Sequence, residues 1–389
     1  MYRLIHAYHR IFYEHRATFH QLGYGHAGKV GPEFAPVLTG LGKDKQITSW
    51  DSFDKHYAAL LDGSAFNSSR RPPRAIPYVY LPVNPEWPAS FLWWGEPGYE
   101  AEFVNVLSAM ERHFRERKWT ATVFEIFFNH KKRYKGFAWD GDEVRFSRDD
   151  EYVRAYHRML KKALPADTPV QFRIRTDTSW SMANQFDTLA GVVSFWVAGE
   201  GILGWFPNRA AELKKRGDIL WAYGGTPPVQ DVSSAITLNP LRSWISSLDG
   251  FVRWQTVNPG RDPWFQLDGG SETLVYPGDR FGLSEPLASV RLKLQRNCLQ
   301  DLALLHQRAK RLGGKTVQTE VVRRFNGTSL KDWQNTAPSL TAKPVLDWDN
   351  VQIEEALQPF EKRSSNLSPE AWMRVHEYAL AGDLTGGLK

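Results

Sequence analysis

The sequence predicts an α/β fold, a TIM-like (β/α)8 barrel that lacks its first strand and carries a C-terminal helical extension. Short β-rich apolar runs alternate with longer helical segments, the pattern of successive βα units around a parallel sheet. Seven such units fit a barrel better than an open sheet, because no Gly-rich G-x-G-x-x-G turn follows any strand. The 389 residues suit one large barrel with additions, or two or three domains of about 100 to 200 residues each.

The chain opens on a helical segment, Tyr2 to His15, which would follow the absent strand. Strands are expected at Ala17 to Tyr24, Pro77 to Val83, Thr120 to Phe128, Val170 to Thr176, Gly191 to Ala198, Ile219 to Gly225 and Gly250 to Val257. Helices are expected between them at Ser49 to Leu61, Tyr99 to Arg117, Asp149 to Leu164, Asn208 to Arg216 and Leu238 to Leu248, with a long last one at Leu287 to Leu312. That last helix carries Val290, Leu292, Leu294, Leu299, Leu302 and Leu305, a mixed apolar face that must be largely covered. From Lys331 the sequence turns polar and Pro-punctuated, then ends in a helix around Ser368 to Ala381 and a Gly-rich tail. The expected division is a barrel over 1–315 and a peripheral helical extension over 316–389.

With 42% hydrophobic and 24% charged residues, the chain is neither disordered nor collagenous nor a coiled coil. The aromatic share decides more: 16 Trp, 14 Tyr and 22 Phe make up 13%. Such rings suit the apolar faces of sugars or bases, although the larger part reads as core packing. The net charge of +6 raises the question of nucleic acid. Arg145 and Arg148 are interleaved with Asp149, Asp150 and Glu151, however, and the cationic run His130-Lys131-Lys132-Arg133 is short, so a mixed solvated surface is expected and no nucleic-acid partner. A single cysteine, Cys298, excludes an intramolecular disulfide and reads as buried filler. No run of 18 apolar residues encodes a membrane span. The first residues lack a signal peptide's apolar stretch, so a secreted form requires a longer N-terminus.

In a barrel the reactive groups gather at the C-terminal ends of the strands. Those ends carry Tyr24 and His26; Asn129, His130 and Lys131; Asp177; Glu200; Tyr223; and Trp254, Asn258 and Trp264. No G-x-x-x-x-G-K-[ST] loop, H-E-x-x-H helix or G-x-S-x-G elbow is present, which argues against phosphoryl transfer, zinc proteolysis and serine hydrolysis. His15, His20 and His26 have no matching carboxylate spacing and read as packing residues, so neither a metal nor another cofactor is expected. Carboxylates among aromatic platforms remain, the equipment of glycoside hydrolysis. The sharpest candidate is Asp142-Glu143, in Trp139-Asp140-Gly141-Asp142-Glu143. Adjacent residues on a regular strand point to opposite faces, so both address one ligand only where the backbone bends, and Gly141 permits that. The same residues also read as an acidic surface turn.

The stretch Phe124-Glu125-Ile126-Phe127-Phe128-Asn129-His130-Lys131, followed by Trp139 to Glu143, resembles the strand, Asn-x-Lys and Trp-x-x-Asp-Glu-Pro pattern of glycoside hydrolase family 123. Gly250 to Trp254, Asp262-Pro263-Trp264 and Leu274-Val275-Tyr276-Pro277-Gly278 resemble that family's last barrel strand and following loop, and Ser289 to Asp301 its closing helix. The matches run in the family's order from about His15 to Leu305. The resemblance implies a retaining β-N-acetylgalactosaminidase in which the sugar's own 2-acetamido oxygen attacks the anomeric carbon, forming an oxazolinium without a protein nucleophile. Asp142 would orient the acetamido group and Glu143 would protonate the leaving oxygen and later activate water. Val144 stands in place of the family's Pro, and the family's N-terminal β-sandwich has no counterpart here.

Tyr24, His26, Asn129, Lys131, Trp139, Tyr223, Trp254, Asn258 and Trp264 are the expected glycan-binding residues. Each has a structural alternative: Trp254 as barrel filling, Tyr24 and Tyr223 as rim closure, Lys131 as a partner of Glu125 or Asp140. Glu200 is the rival acid. A non-catalytic carbohydrate-binding barrel is the second functional expectation.

Overall fold

A computed structural model describes residues 2–89, 92, 95–142, 144, 146–178, 185–199, 207–257, 262–265, 273–327 and 370–384. The chain divides into two compact units, 1–178 with 184–196, and 179–183 with 197–389.

In the first unit, α1 (Tyr2–Glu14) buries Ala7, His9 and Phe12. The strand expected at Ala17 to Tyr24 does not form: only an isolated bridge joins Tyr24 to Val30. The segment is fastened by its rings. Phe19 stacks on Phe12 at 5.4 Å and His20 on Tyr80 at 3.9 Å. A short antiparallel hairpin follows, β1 (Val37–Thr39) and β2 (Gln46–Ser49), too brief and too exposed to leave a periodic signal. Then come α2 (Asp51–Leu61), β3 (Tyr78–Tyr80), α3 (Tyr99–Glu116), β4 (Val123–Phe127), α4 (Lys132–Lys135), α5 (Asp150–Ala163), β5 (Gln171–Thr178) and α6 (Gln185–Thr188). The helices form for the ordinary amphipathic reason. Phe103, Val106, Leu107, Met110 and Phe114 of α3, and Val153, Tyr156, Met159, Leu160 and Ala163 of α5, recur every three to four residues and are buried. All five residues of β4 are buried, as an interior parallel strand requires. Phe114 stacks on Phe53, Phe124 and Phe172 at 5.6, 4.3 and 6.0 Å, so much of the aromatic content is core.

The boundary between the units falls within β6 (Phe195–Gly199). The second unit holds α7 (Pro207–Lys215), β7 (Ile219–Gly225), α8 (Leu238–Ile245), β8 (Gly250–Trp254), the antiparallel pair β9 (Val275–Tyr276) and β10 (Leu287–Ala288), α9 (Val290–Leu312), α10 (Gly314–Asn326) and α11 (Glu370–Leu384). The last long helix starts later than expected: Leu287 and Ala288 pair as a strand, and the Ser289 hydroxyl accepts from the Leu292 N–H at 3.1 Å to cap the helix. The apolar face of α9 is covered along its middle, with Cys298 and Leu305 packed against Val317, Val321 and Phe325 of α10 and Ala371, Trp372 and Val375 of α11, whereas Val290 at its start is exposed.

Strands β3 to β8 are hydrogen-bonded in chain order, and the pairs β3–β4, β4–β5 and β7–β8 are parallel. The fold class is therefore mixed α/β on a six-stranded sheet, and an eight-stranded closure is not present among the described residues. No described helix is long and apolar enough to cross a membrane.

Candidate functional site

Asp142 lies on the loop after β4, and four backbone ties position it. Gly141 N–H donates to the His130 carbonyl at 3.0 Å and Asp142 N–H to the same oxygen at 3.4 Å. Lys132 N–H donates to Asp140 Oδ1 at 2.8 Å, and Asp140 N–H to Asp149 Oδ2 at 3.3 Å. Gly141 is needed for space: a Cβ there would stand 2.4 Å from the Phe128 carbonyl oxygen and 2.7 Å from His130 Cε1.

The segment Tyr24–His26 is sewn to the same strand end. The Tyr24 hydroxyl donates to the Phe127 carbonyl and accepts from Asn129 N–H at 3.2 Å, and Lys131 N–H donates to the His26 carbonyl at 3.0 Å. Two side chains thereby reach Asp142: the Lys131 ammonium Nζ lies 3.1 Å and the His26 imidazole Nε2 3.3 Å from Oδ2. Oδ1 accepts no hydrogen bond from a described residue, and the Asp142 side chain is 14% exposed. Burial alone would raise this carboxyl, but His26 and Lys131 outweigh it and hold it below the usual carboxylate range. Asp142 is thus favoured as an ionised carboxylate, with Oδ2 anchored and Oδ1 accepting from no described residue.

Beside it on the sheet face lies a buried charge network. Glu125 sits between His20 Nε2 at 2.6 Å and Arg175 Nη1 at 2.9 Å. Arg175 also donates to the Tyr80 hydroxyl at 2.5 Å and makes a two-pronged pair with Asp177 at 2.7 and 2.9 Å. Burial is opposed at Glu125 by His20 and Arg175, which keep it below its ordinary value. At Asp177 burial prevails over Arg175 and, with the charges of Asp142 and Glu125 nearby, pushes the carboxyl up to about 6. Two carboxylates in mutual electrostatic reach, Asp142 and Asp177, are thus driven apart in acidity.

The expected site residues are brought together in part. In the first unit Tyr24, His26, Asn129 and Lys131 all surround Asp142, with Tyr24 and Asn129 buried as ties and His26 and Lys131 as its charge partners. Lys131 pairs with Asp142, where Glu125 or Asp140 was the structural alternative. Trp139 is fully buried, stacked on Tyr152 at 5.1 Å and edge-on to Phe128 and His130, which leaves no ring face for a sugar. In the second unit Trp254 ends β8 half exposed, Tyr223 lies on neighbouring β7 opposite Val252, and Trp264 packs on Tyr276 at 4.6 Å while donating to the Pro277 carbonyl at 3.2 Å. Glu143, Asn258 and the rival acid Glu200 lie outside the described residues.

Sequence reasoning does not single out Arg175; it takes His20 as a packing residue, Glu125 only as a partner of Lys131, and Asp177 only as a strand-end residue. A signal existed: Glu125 interrupts an otherwise apolar buried strand, and Arg173-x-Arg175-x-Asp177 puts charges on one face of the next, where they must pair to be buried. Among the described residues no group of three His, Cys, Asp or Glu is placed to hold a metal ion. No protein-family model matches the chain, and no curated protein matches it.

Proposed function

We propose that the chain is a retaining glycosidase on a TIM-like framework that removes β-linked N-acetylhexosamine, GalNAc foremost, through an oxazolinium intermediate. The observation that carries this reading is Asp142: an ionised carboxylate after a sheet strand, with Oδ2 anchored by Lys131 and His26 and Oδ1 bonded to no described residue. An acetamido N–H donates to Oδ1. This turns the acetamido oxygen toward the anomeric carbon, and the negative charge of Asp142 offsets the positive charge that develops on the ring nitrogen. The acetamido oxygen forms the new bond to the anomeric carbon as the glycosidic bond breaks, and the leaving oxygen takes its proton from Glu143. Water then adds to the anomeric carbon, giving its proton to Glu143 and restoring the acetamide with retained configuration. Adjacent residues suffice because they address neighbouring parts of one sugar, unlike the opposed carboxylates of other glycosidases.

A chromogenic β-GalNAc glycoside tests this. Wild type is expected to turn over, and Asp142→Asn to fall by about 100-fold or more in kcat, since loss of an orienting and charge-stabilising group has that order of effect. Glu143→Gln should lose little on this activated glycoside in the first step but about 100-fold or more on an unactivated β-GalNAc disaccharide, and added azide should accelerate the variant and give the β-azide. Near-normal turnover in Asp142→Asn sinks the substrate-assisted scheme. The second reading, a non-catalytic carbohydrate-binding protein, is favoured by the two side chains already seated on Asp142 Oδ2, Lys131 and His26. A folded, inert wild type that binds GalNAc glycosides decides for it.

A further inference from the structure

The loop after β4 carries four cations in five residues, Lys131, Lys132, Arg133 and Lys135, and three of them are engaged. Lys131 pairs with Asp142 at 3.1 Å, Lys132 with Asp149 at 3.3 Å and Lys135 with Glu86 at 2.5 Å. Arg133 is exposed and pairs with no described carboxylate; its guanidinium lies over the Tyr134 ring, 5.0 Å from the centroid. Tyr134 is 52% exposed and stacks on His26 at 5.0 Å, the residue whose Nε2 is 3.3 Å from Asp142. A continuous path of contacts therefore runs from Asp142 through His26 and Tyr134 to an unneutralised guanidinium.

A second arrangement of the same kind flanks it. Phe146 is 47% exposed, with the Arg148 guanidinium 4.9 Å and Lys132 Nζ 5.7 Å from its centroid. Arg148 too is exposed and has no described carboxylate partner. Exposed rings next to an open carboxylate suit the apolar faces of sugars. A guanidinium resting over a ring is partly oriented, that of Arg133 also donating to the Tyr134 hydroxyl at 3.4 Å, and its fork of N–H donors fits a carboxylate or sulfate through two parallel hydrogen bonds. A neutral glycan would use the rings and leave both guanidinium groups without an acceptor.

We infer that this rim binds an anionic substituent, a carboxylate or sulfate, so that the glycan recognised at Asp142 is acidic. The inference rests on the proposed glycosidase reading only for which sugar is cleaved; anionic binding stands without it.

The test pairs turnover with binding. β-GalNAc disaccharides whose second sugar is a neutral hexose, a uronic acid or a sulfated hexose are compared by kcat/KM, and the same three ligands by calorimetric affinity. One or two charge-assisted hydrogen bonds at an exposed rim are expected to favour the acidic ligands by about tenfold. The uronate and sulfate arms show which group is preferred. Arg133→Ala with Arg148→Ala should abolish the preference and leave turnover of the neutral disaccharide and the melting temperature unchanged. Equal affinity for neutral and acidic ligands, or a preference that survives in the double variant, overturns the inference. Arginine-dependent acidic binding without any hydrolysis supports it while sinking the glycosidase reading, and hydrolysis without acidic preference does the reverse.

Discussion

Arg175 is the residue on which the buried side of the site depends, because it bridges two carboxylates, the fully buried Glu125 and the partly buried Asp177. Arg175→Met keeps most of the volume and removes the charge. Breaking a buried pair in this way costs about 3–5 kcal/mol, since the abandoned carboxylates cannot be solvated. The pH dependence gives the sign. Without the guanidinium Asp177, already raised by burial, loses the charge that opposes that rise and shifts further up, so its penalty is full above the folded value and disappears as pH falls and it takes up a proton. Urea unfolding at pH 7.5 and pH 5 should therefore show the deficit relative to wild type shrinking at the lower pH; a deficit that stays constant or grows would contradict the network. At this scale the sequence was legible where chemistry is local. Asp142, Lys131 and His26 each follow a strand end or a turn signal, whereas their pairing joins positions far apart in the chain and no spacing reveals it. Trp139 was read as a sugar platform because it precedes the acidic pair, but Tyr152, Phe128 and His130 close around it.

The element that aims Asp142 is the loop folded back onto the end of β4, and Gly141 is its closest approach. Gly141→Ala would drive a methyl into the Phe128 carbonyl at 2.4 Å, a backbone atom that cannot yield as a flexible side chain does. We expect a stability loss of about 1–3 kcal/mol from overpacking and, because a displacement of about 1 Å in a reacting group costs on the order of 100-fold, a much larger loss of kcat/KM on the chromogenic glycoside. Wild-type activity in this variant would show that the loop need not hold its place. The sequence suggested that Gly141 permits a bend, whereas its role here is clearance, which depends on a carbonyl thirteen residues earlier in the chain. Elements with a long apolar period, such as α3, α5 and β4, could be read directly. Those held by single side chains could not: the Ala17–Tyr24 segment has strand-like composition yet is fixed by Phe19, His20 and Tyr24, and β1 and β2 are too short for a period to register.

Across the whole molecule the alternation of strand and helix gave the α/β class and six of the seven expected strands, but the number closing a sheet is a long-range property that alternation does not encode. The division into two units has a consequence for acid stability. Burial depresses four histidines of the first unit, the part-exposed His157 and three that are deeply enclosed: His9 well below its ordinary value, His56 to about 4 and His130 to about 3. All three have ring nitrogens without hydrogen-bond partners. In the second unit His306 is exposed and His376 bonds Asp301 at 2.8 Å. A histidine depressed in the folded state contributes no penalty above the unfolded value of about 6.5; below it the unfolded chain takes up protons that the folded chain refuses, and stability falls until the folded value is reached. Asp177, raised to about 6, and Asp150, also raised by burial, act in the opposite sense, but they are two groups against four. Hydrogen exchange corrected for intrinsic rates should therefore show β4 and α3 losing protection between pH 7 and pH 5 before α9 and α10 do. Each histidine accounts for about tenfold in protection per pH unit below 6.5, because about 1.4 kcal/mol corresponds to one unit. His9→Leu with His56→Leu should flatten that slope in the first unit alone. Parallel loss in both units, or an unchanged slope in the double variant, would mean that the buried histidines do not govern acid stability, and the driving group would have to be sought among the paired carboxylates, whose lowered values act only at more acidic pH.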